Sequence, residues 1–294
     1  MIPACGGYSG SDGTMKLRSL LFAPGDSERK TIRALESDAD LVILDLEDSV
    51  APSSKADART AVAAALTSVR PAAVRVNPQN SAWYLADLAA IVPCRPHAIM
   101  LPKCGGPADL AALDHHLEAL ETAHGLVVGA IGVLALVTEQ ATALGRMEYA
   151  GSPGRLWALC FGAEDLAADL GVTARIAGRY PAVIAAARTA TLLAAAQAGV
   201  PAIDTPFPDP RDASGLATEA AAAAADGFAG KLCIHPGQIE AVAAAFTPAA
   251  DRVTWARRVV EAFAREPAAG VLVLDGAMID RPHLNLANRI LASI

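Results

Sequence analysis

The sequence predicts an α/β protein that folds as a (β/α)8 TIM barrel with a C-terminal helical extension. Eight short apolar segments alternate with alanine-rich, helix-compatible stretches, a pattern typical of right-handed βαβ units and a parallel sheet. Hydrophobic residues make up 53% of the chain and aromatic residues only 4%. Ala, Val, Leu and Ile must therefore form the core, which suits helices packed on a parallel sheet. An open doubly wound sheet is the competing architecture, but no G-x-G-x-x-G motif follows the first strand.

The elements of the barrel follow one another along the chain as short strands and longer helices. Strands are expected at 18–25, 41–48, 72–77, 98–103, 127–136, 156–162, 201–206 and 230–236. Helices are expected at 28–37, 55–69, 82–91, 108–124, 138–147, 182–199, 212–226 and 237–245. Beyond the eighth unit, we expect an amphipathic helix at 249–266, a short strand at 271–275 and a final helix at 282–293.

These elements divide the 294 residues into three parts. Residues 1–15 are rich in Gly, Ser and Asp and are expected to form a poorly ordered tail. Residues 16–247 form the barrel domain. Residues 248–294 form an extension that follows a closed barrel, so it must pack either on the rim of its own barrel or on a neighbouring subunit.

Composition excludes several classes of protein. A net charge of −7 and a pI near 5.4 argue against a nucleic-acid-binding protein. No segment approaches 18 uninterrupted apolar residues, so no membrane span is expected. The five cysteines are an odd number and form no C-x-x-C pair, which favours reduced thiols in a cytoplasmic protein.

Polar side chains gather at the carboxyl ends of the predicted strands, where barrel enzymes place their active sites. The bodies of these strands are apolar, and their amino ends mostly lack such groups. This convergence predicts an active site at one end of the barrel. The residues are Asp45, Glu47 and Asp48 (strand 2), Arg75 and Asn77 (strand 3), Lys103 (strand 4), Glu139 (strand 5), Glu164 and Asp165 (strand 6), Asp204 (strand 7) and His235 (strand 8).

Several carboxylates in one barrel mouth repel each other unless a cation neutralises them. Oxygen ligands without histidine favour Mg²⁺ over Zn²⁺. We select Glu139 and Asp165 as metal ligands and Arg75 as the bidentate contact for a substrate carboxylate. Each has a simpler interpretation: Glu139 as a solvent-facing acid in the first turn of a helix, Asp165 as a helix N-cap, and Arg75 as the partner of an acid in a buried ion pair.

The remaining charged groups are predicted to surround the metal ligands rather than to bind the metal themselves. Asp45, Glu47 and Asp48 are expected to orient metal-bound water or Arg75. Lys103 is either a Schiff-base lysine or a contact for a phosphate or carboxylate. His235 is expected to be a structural hydrogen-bonding residue.

Seven segments, spread in order over nearly the whole chain after residue 16, resemble the citrate lyase β-subunit-like branch of the HpcH/HpaI aldolase family. They are RSLLFAPGD (18–26), LVILDLEDSVAPSSKADAR (41–59), VRVN (74–77), IMLPK (99–103), GAEDLAADLG (162–171), KLCIHPGQI (231–239) and DGAMIDRPHL (275–284).

The resemblance implies a Mg²⁺-dependent TIM barrel that cleaves a carbon–carbon bond in a β-hydroxyacyl-CoA, such as malyl-, citramalyl- or citryl-CoA, into acetyl-CoA and a 2-oxo acid. By motif position, Glu139 and Asp165 correspond to the metal ligands and Arg75 to the substrate-carboxylate contact. Asp280 corresponds to the catalytic acid/base, which in similar proteins comes from the C-terminal segment of a neighbouring subunit in a homotrimer or hexamer. One departure is the context of the metal glutamate, Thr138-Glu139-Gln140, where the family usually has I-E-T.

A non-catalytic binding or regulatory barrel is a further alternative, against which the set Arg75, Glu139, Asp165 and Asp280 argues. Two alternative activities also remain open at this point. One is a citrate lyase β-subunit that acts on a citryl-acyl-carrier protein. The other is a 2-oxo-acid aldolase that does not use CoA.

Overall fold

The computed structural model describes residues 9–10, 13–66 and 70–294, and its centre is a closed barrel of eight parallel strands. Each strand pairs with the next one along the chain, and the last strand closes the barrel by pairing with the first. The predicted TIM barrel is confirmed, and every strand lies inside its predicted bounds. The strands are β1 (Ser19–Pro24), β2 (Leu41–Asp45), β3 (Ala72–Arg75), β4 (Ala98–Leu101), β5 (Gly132–Leu136), β6 (Leu156–Cys160), β7 (Ala202–Asp204) and β8 (Gly230–Cys233).

Helices connect the strands and surround the barrel. They are α1 (Glu28–Leu35), α2 (Lys55–Ala65), α3 (Tyr84–Ile91), α4 (Pro107–Ala123), α5 (Ala141–Leu144), α6 (Ala163–Leu170), α7 (Ala182–Ala198), α8 (Ala213–Asp226) and α9 (Ile239–Ala245). Short 3₁₀ turns lie at Pro52–Ser54, Val92–Cys94 and Pro236–Gln238.

Two helices differ from the sequence prediction. Helix α6 is absent from the predicted helices, although the N-cap interpretation of Asp165 implied that a helix starts at this point. Gly171 ends this helix in the left-handed conformation, with φ of 67°. The helix predicted at 138–147 is a single turn, α5, because Glu139 lies in a bend before it and the N-cap Gln140 has extended dihedral angles. Part of the predicted end of α2 (67–69) lies outside the described residues.

The two faces of the barrel strands belong to different apolar cores. One set of strand side chains packs with other strand residues and with Leu17 and Met15, and it fills the barrel interior. The alternate set packs with the surrounding helices in the larger core. Successive side chains point to opposite faces, so each residue at a strand end faces either the interior or the helices according to its register.

A buried ion-pair network lies on the outer face of β7 and β8. The fully buried Lys231 ammonium contacts Asp204 at 2.7 Å and Glu219 at 2.8 Å. Arg188 of α7 contacts the other oxygen of Asp204 at 2.9 Å, and Arg175 contacts Glu219 at 2.9 Å. These contacts tie the last two strands to α7 and α8.

The C-terminal extension is a compact unit with its own core. It consists of α10 (Ala250–Arg265), the antiparallel hairpin β9 (Val271–Leu274) and β10 (Ala277–Asp280), and α11 (Arg281–Ala292). Both predicted helices and the predicted strand are present, and β10 is additional. Its core residues are Ala256, Val259, Phe263, Ile279, Ala287 and Ile290, so it contains no barrel side chain. That the extension packs on a neighbouring subunit stays a prediction.

The predicted tail over 1–15 falls largely on residues outside those described; within it, Ser9–Gly10 and Gly13–Thr14 pair antiparallel. Among the described residues, no helix is both long and apolar enough to cross a membrane.

Candidate active site at the barrel mouth

Arg75 and Asp45 form a bidentate ion pair at the floor of the mouth. Both residues end strands with their side chains in the same register as the interior-facing residues Ile43 and Ala73. The Arg75 Nε and Nη2 atoms donate to the two Asp45 oxygens at 2.7 Å each. Burial opposes the ionisation of Asp45, but the charge and hydrogen bonds of Arg75 outweigh it and hold the pKa of Asp45 below its usual range. Arg75 therefore forms a buried ion pair, as one interpretation of the sequence predicted, and its remaining nitrogen, Nη1, also lies near acids.

Glu47 links Arg75 to Lys103. One Glu47 oxygen, Oε2, lies 2.9 Å from Arg75 Nη1, and the other accepts a short hydrogen bond from the Lys103 ammonium. Glu47 Oε2 is buried and has no contact with hydrogen-bond geometry among the described residues. Burial raises the pKa of Glu47 to about 7, although both cations act against it. Asp48 is exposed and lies within 4 Å of the same two cations. The sequence prediction that these acids surround Arg75 agrees with these contacts.

Glu139 is buried at the end of β5, with 3% of its surface exposed. The interpretation of Glu139 as a solvent-facing acid in a helical first turn is therefore wrong. One oxygen, Oε2, accepts a short hydrogen bond from the Lys103 backbone N–H, and no described residue donates to Oε1. Burial and the nearby charges of Glu47 and Asp165 raise the pKa of Glu139 to about 8. The surroundings thus disfavour an uncompensated Glu139 carboxylate.

Asp165 lies in the first turn of α6, half-buried, and its charge is close enough to act on Glu139. The N-cap of α6 is Gly162, so the N-cap interpretation of Asp165 is wrong. Among the described residues, no hydrogen-bond donor or cation pairs with the Asp165 carboxylate. Gly162 leaves room beside Glu139, because a Cβ at position 162 would lie 2.7 Å from Glu139 Cγ.

Lys103 has a left-handed backbone, with φ of 51°, a conformation that a non-glycine residue adopts only at a cost. This conformation aims its N–H at Glu139 while its side chain reaches Glu47. Although burial opposes the charge, the neighbouring acids Glu47 and Asp48 raise the pKa of Lys103. A Schiff-base lysine needs a lowered pKa, so this environment favours the anion-contact interpretation over the Schiff base.

Three other strand-end residues do not join this cluster. Asp204 faces the helices and pairs with Lys231 and Arg188, because it shares the outward register of Ala202. Glu164 is exposed and pairs with Arg175. His235 is exposed and accepts a hydrogen bond from the Gly237 N–H as the cap of a 3₁₀ turn, which confirms its predicted structural role.

Comparison with known proteins places this arrangement in a family. A family profile described as HpcH/HpaI aldolase/citrate lyase matches residues 18–236. The chain is 34% identical to citrate lyase subunit beta of Haemophilus influenzae, over 94% of this chain and 97% of that protein. It is 32% identical to the mitochondrial citramalyl-CoA lyase of Rattus norvegicus, over 93% of this chain and 84% of that protein.

The chain belongs to the HpcH/HpaI aldolase/citrate lyase family.

A solved structure from the same family resembles the fold closely. The CitE protein of Mycobacterium tuberculosis, determined in complex with magnesium, acetoacetate and coenzyme A, superimposes with a TM-score of 0.74. It is 34% identical over 94% of this chain and 97% of that one. This relative is thus a protein that binds both a metal and a thiol cofactor on the same kind of barrel.

The residues of this HpcH/HpaI family member fit a small oxygen-preferring cation. Glu139 Oε1 and the Asp165 carboxylate have no partner among the described residues, whereas Glu47 Oε2 already lies 2.9 Å from Arg75 Nη1. Among those residues, no three His, Cys, Asp or Glu side chains converge as a complete ligand set. A pair of carboxylates suits Mg²⁺, which keeps several positions for water and substrate oxygens.

A basic cavity of about 500 Å³ opens between α1 and the ends of β1 and β8. Sequence reasoning missed it, because its cations lie on a helix rather than at strand ends. Arg29, Lys30 and Arg33 line one side, and Phe22 and Ile234 are among the apolar residues of the other. The three cations are exposed, and none forms an ion pair among the described residues. The cavity can therefore receive an anionic ligand that also has an apolar part.

Among the residues that the structure describes, no contact brings Asp280 to the acids and cations of the mouth. It ends β10 and caps α11, where its Oδ1 lies 2.5 Å from His283 Nδ1. The hydrogen bond from His283 lowers the pKa of Asp280. Val271, Val273 and Met278 share its face of the hairpin and are all exposed, whereas the opposite face packs on α10 and α11. The predicted catalytic role of Asp280 stays a prediction.

Proposed function

We propose that this protein is a Mg²⁺-dependent carbon–carbon lyase that cleaves a β-hydroxyacyl-CoA into acetyl-CoA and a 2-oxo acid. The observation that carries the proposal is the pair Glu139 and Asp165, whose free carboxylate oxygens lie beside the Arg75–Glu47–Lys103 cluster. Anionic ligands for a divalent cation and cations for a carboxylate thus share one barrel mouth. Malyl-, citramalyl- and citryl-CoA are the substrates that the names of the family relatives suggest.

Glu139 and Asp165 would hold the Mg²⁺. Bound there, the ion would act as a Lewis acid that lowers the pKa of the substrate hydroxyl. Lys103 serves this ligand set through its backbone, since its N–H fixes one Glu139 oxygen and leaves the other free.

Arg75 and Lys103 provide the positive charge that attracts the substrate carboxylate. The Nε–Nη2 edge of Arg75 is held by Asp45, so Arg75 meets the substrate with its remaining edge rather than with the edge that Asp45 occupies. Glu47 competes for the same two cations, so the substrate carboxylate would displace or share these contacts.

The chemical step separates one carbon–carbon bond. The hydroxyl proton leaves to a base, the oxygen electrons form the carbonyl of the 2-oxo acid, and the bond electrons move to the carbon beside the thioester. Asp280, whose pKa is lowered by His283 in the single chain, must first take up a proton at the mouth of the second copy. It then donates this proton to that carbon, which gives acetyl-CoA. General acid–base assistance of this kind contributes about 10²–10⁴-fold to a rate.

The supply of Asp280 from a neighbouring copy explains why its hairpin exposes an apolar face. Val271, Val273 and Met278 are 57%, 73% and 62% exposed in the single chain. Contact with the mouth of a second copy would bury these side chains and bring Asp280 to the carboxylate cluster. A homotrimer or hexamer is the assembly that this arrangement would serve.

The basic cavity supports a CoA thioester rather than a free acid. CoA carries three phosphates and an adenine, and Arg29, Lys30 and Arg33 match the phosphates in charge. A free 2-oxo acid has no group that would need this cavity.

The second candidate is a citrate lyase β-subunit that acts on a citryl-acyl-carrier protein, which the relatives named citrate lyase subunit beta favour. Its thioester carries the same phosphopantetheine arm but no adenine.

The test is release of a 2-oxo acid from malyl-, citramalyl- and citryl-CoA, with Mg²⁺ or with EDTA. We expect Mg²⁺-dependent release from at least one thioester and its loss in Glu139→Gln, whereas the exposed control Glu148→Gln stays active. Cleavage of free hydroxy-oxo acids without any thioester activity would favour the CoA-independent aldolase. Activity confined to the citryl-carrier protein would favour the subunit role.

A further inference from the structure

Lys55, the first residue of α2, carries a buried ammonium group with no carboxylate partner. The residue is 6% exposed, and no acidic oxygen lies within ion-pair distance among the described residues. Its Nζ instead donates to two consecutive main-chain carbonyls, those of Leu46 and Glu47, at 2.7 Å each. The Trp83 ring lies 5.3 Å from the same ammonium.

This position is costly, because a buried charge without a counter-ion loses its hydration. Burial lowers the pKa of Lys55, while the charges of Asp45 and Glu47 act in the opposite direction. A methionine would fill similar space without that cost. The ammonium must therefore contribute something that an apolar side chain at position 55 does not.

The two carbonyls belong to the segment that carries Glu47 and Asp48 into the mouth. On the side of the mouth, the Asp45 carboxylate accepts hydrogen bonds from the backbone N–H groups of Glu47 at 2.9 Å and Ser49 at 3.2 Å. On the opposite side, Lys55 donates to the carbonyls. A carboxylate holds the N–H groups of this turn and an ammonium holds its C=O groups, so the main chain is fixed from both sides.

A second donor strengthens the same anchor. Asn77 Nδ2 donates to the Leu46 carbonyl at 3.0 Å and to Asp87 at 2.7 Å. Arg59, one helical turn beyond Lys55, pairs with Asp87 at 2.9 Å. Lys55 thus attaches the start of α2 to the segment that follows β2, and Arg59 attaches the same helix to Asp87, the residue that holds Asn77.

We infer that Lys55 is a positioning residue, which fixes the Leu46–Glu47 main chain so that the Glu47 carboxylate holds Lys103 and Arg75 in place. The inference rests on the proposed function for the reaction that this positioning serves. Its structural part, the ordering of the segment, does not depend on the reaction.

Loss of the ammonium leaves the fold supported. The Leu46 carbonyl keeps its bond from Asn77, and the Glu47 carbonyl keeps the bond from the Val50 N–H at 3.0 Å. No carbonyl is left without a donor, so Lys55→Met is expected to fold. We expect the substitution to make the main chain around Leu46 and Glu47 less ordered.

The first experiment compares Lys55→Met with the wild type and with the exposed control Lys16→Met by hydrogen–deuterium exchange. We expect at least tenfold faster exchange of the Glu47 and Ser49 amides in Lys55→Met and no change in Lys16→Met. Unchanged exchange at both amides would overturn the inference, whatever the enzyme catalyses. Failure of Lys55→Met to fold would also overturn it, because the remaining hydrogen bonds predict a folded variant.

The second experiment measures cleavage of the best thioester substrate by wild type, Lys55→Met and Lys55→Ala. Loss of an outer support of a metal or substrate group typically lowers activity about 10–100-fold, and we expect the loss mainly in kcat. In Lys55→Ala, propylammonium should restore activity and slow the exchange of the Glu47 amide, whereas propanol of the same length should not. Equal rescue by propanol, or full activity of Lys55→Met, would refute the positioning role. A wild type without lyase activity would refute the proposed function and leave the exchange result to decide the inference.

Discussion

Replacement of Glu139 by glutamine should stabilise the metal-free protein while it removes the response to Mg²⁺. Glutamine has the same shape, and its carbonyl oxygen can still accept the hydrogen bond from the Lys103 N–H. What it removes is an ionisable group whose negative charge would lie buried beside Glu47 and Asp165. That charge is unfavourable until a cation compensates it.

The magnitude follows from the raised pKa of Glu139. An acid whose pKa is about 8 in the folded protein and 4.5 in the unfolded chain binds more protons when folded, so the free energy of unfolding falls as pH rises between these values. At pH 7 the loss amounts to about 3 kcal/mol, and at pH 5 to less than about 1 kcal/mol. Glu139→Gln should recover this loss, which corresponds to about 5 °C in Tm for a chain of this length.

The assay is thermal and urea denaturation of wild type, Glu139→Gln and the exposed control Glu148→Gln at pH 5 and pH 7. In EDTA, Glu139→Gln should be the most stable at pH 7, and the difference should shrink at pH 5. With Mg²⁺ added, the wild type should gain stability and Glu139→Gln should not. A glutamine variant that is less stable than wild type in EDTA at pH 7, or that gains equally from Mg²⁺, would refute the reasoning.

Three further predictions address other parts of the molecule. Asp280→Asn should lower turnover about 10²–10⁴-fold without a change in Tm. If the aspartate acts across subunits, mixed oligomers of Asp280→Asn and Glu139→Gln should regain part of the activity. Mixed oligomers that stay inactive would count against the supply of Asp280 by a neighbouring subunit. Gly162→Ala should abolish stabilisation by Mg²⁺, because its Cβ would lie 2.7 Å from Glu139 Cγ, whereas Gly145→Ala, with open space around it, should behave as wild type in the same thermal titration. Glu219 is largely buried, but hydrogen bonds and charges from Arg175 and Lys231 lower its pKa to about 2. The stability that this residue contributes is therefore present above pH 4.5 and is lost as pH falls towards 2. In an acid titration, the free energy of unfolding of Glu219→Gln should decline less steeply than that of the wild type, and an equal decline would contradict the role of this network.

The barrel could be predicted because both faces of its strands are buried. Runs such as Leu41–Asp45 are apolar throughout, and their regular spacing with helices leaves few other topologies. Because both faces of each strand are apolar, the sequence does not indicate whether a residue at a strand end faces the barrel interior or the helices. Asp45 and Asp204 look alike in sequence, yet Asp45 faces the interior and Asp204 faces the helices.

The carboxylate cluster could be predicted as a set, but its internal roles could not. The carboxyl ends of the strands meet at one rim, so Glu47, Lys103 and Glu139 were expected to lie together. That Lys103 would use its backbone N–H on Glu139 depends on a left-handed φ, which its residue type does not favour. The buried position of Lys55 could not be predicted, because a lysine at the start of a helix normally points to solvent.

The network around Lys231 constrains the order in which the barrel can be completed. Asp204 and Glu219 are synthesised before Lys231, so a nascent chain that ends before β8 holds both carboxylates without that cation. In such a chain Asp204 pairs only with Arg188 and Glu219 pairs with Arg175, at positions that are buried in the complete barrel. Synthesis of β8 therefore adds the positive charge of Lys231 to the network as well as the strand that closes the barrel. Chains truncated before β8 should therefore fold less stably, since they lack Lys231, the cation that compensates the buried charges of Asp204 and Glu219.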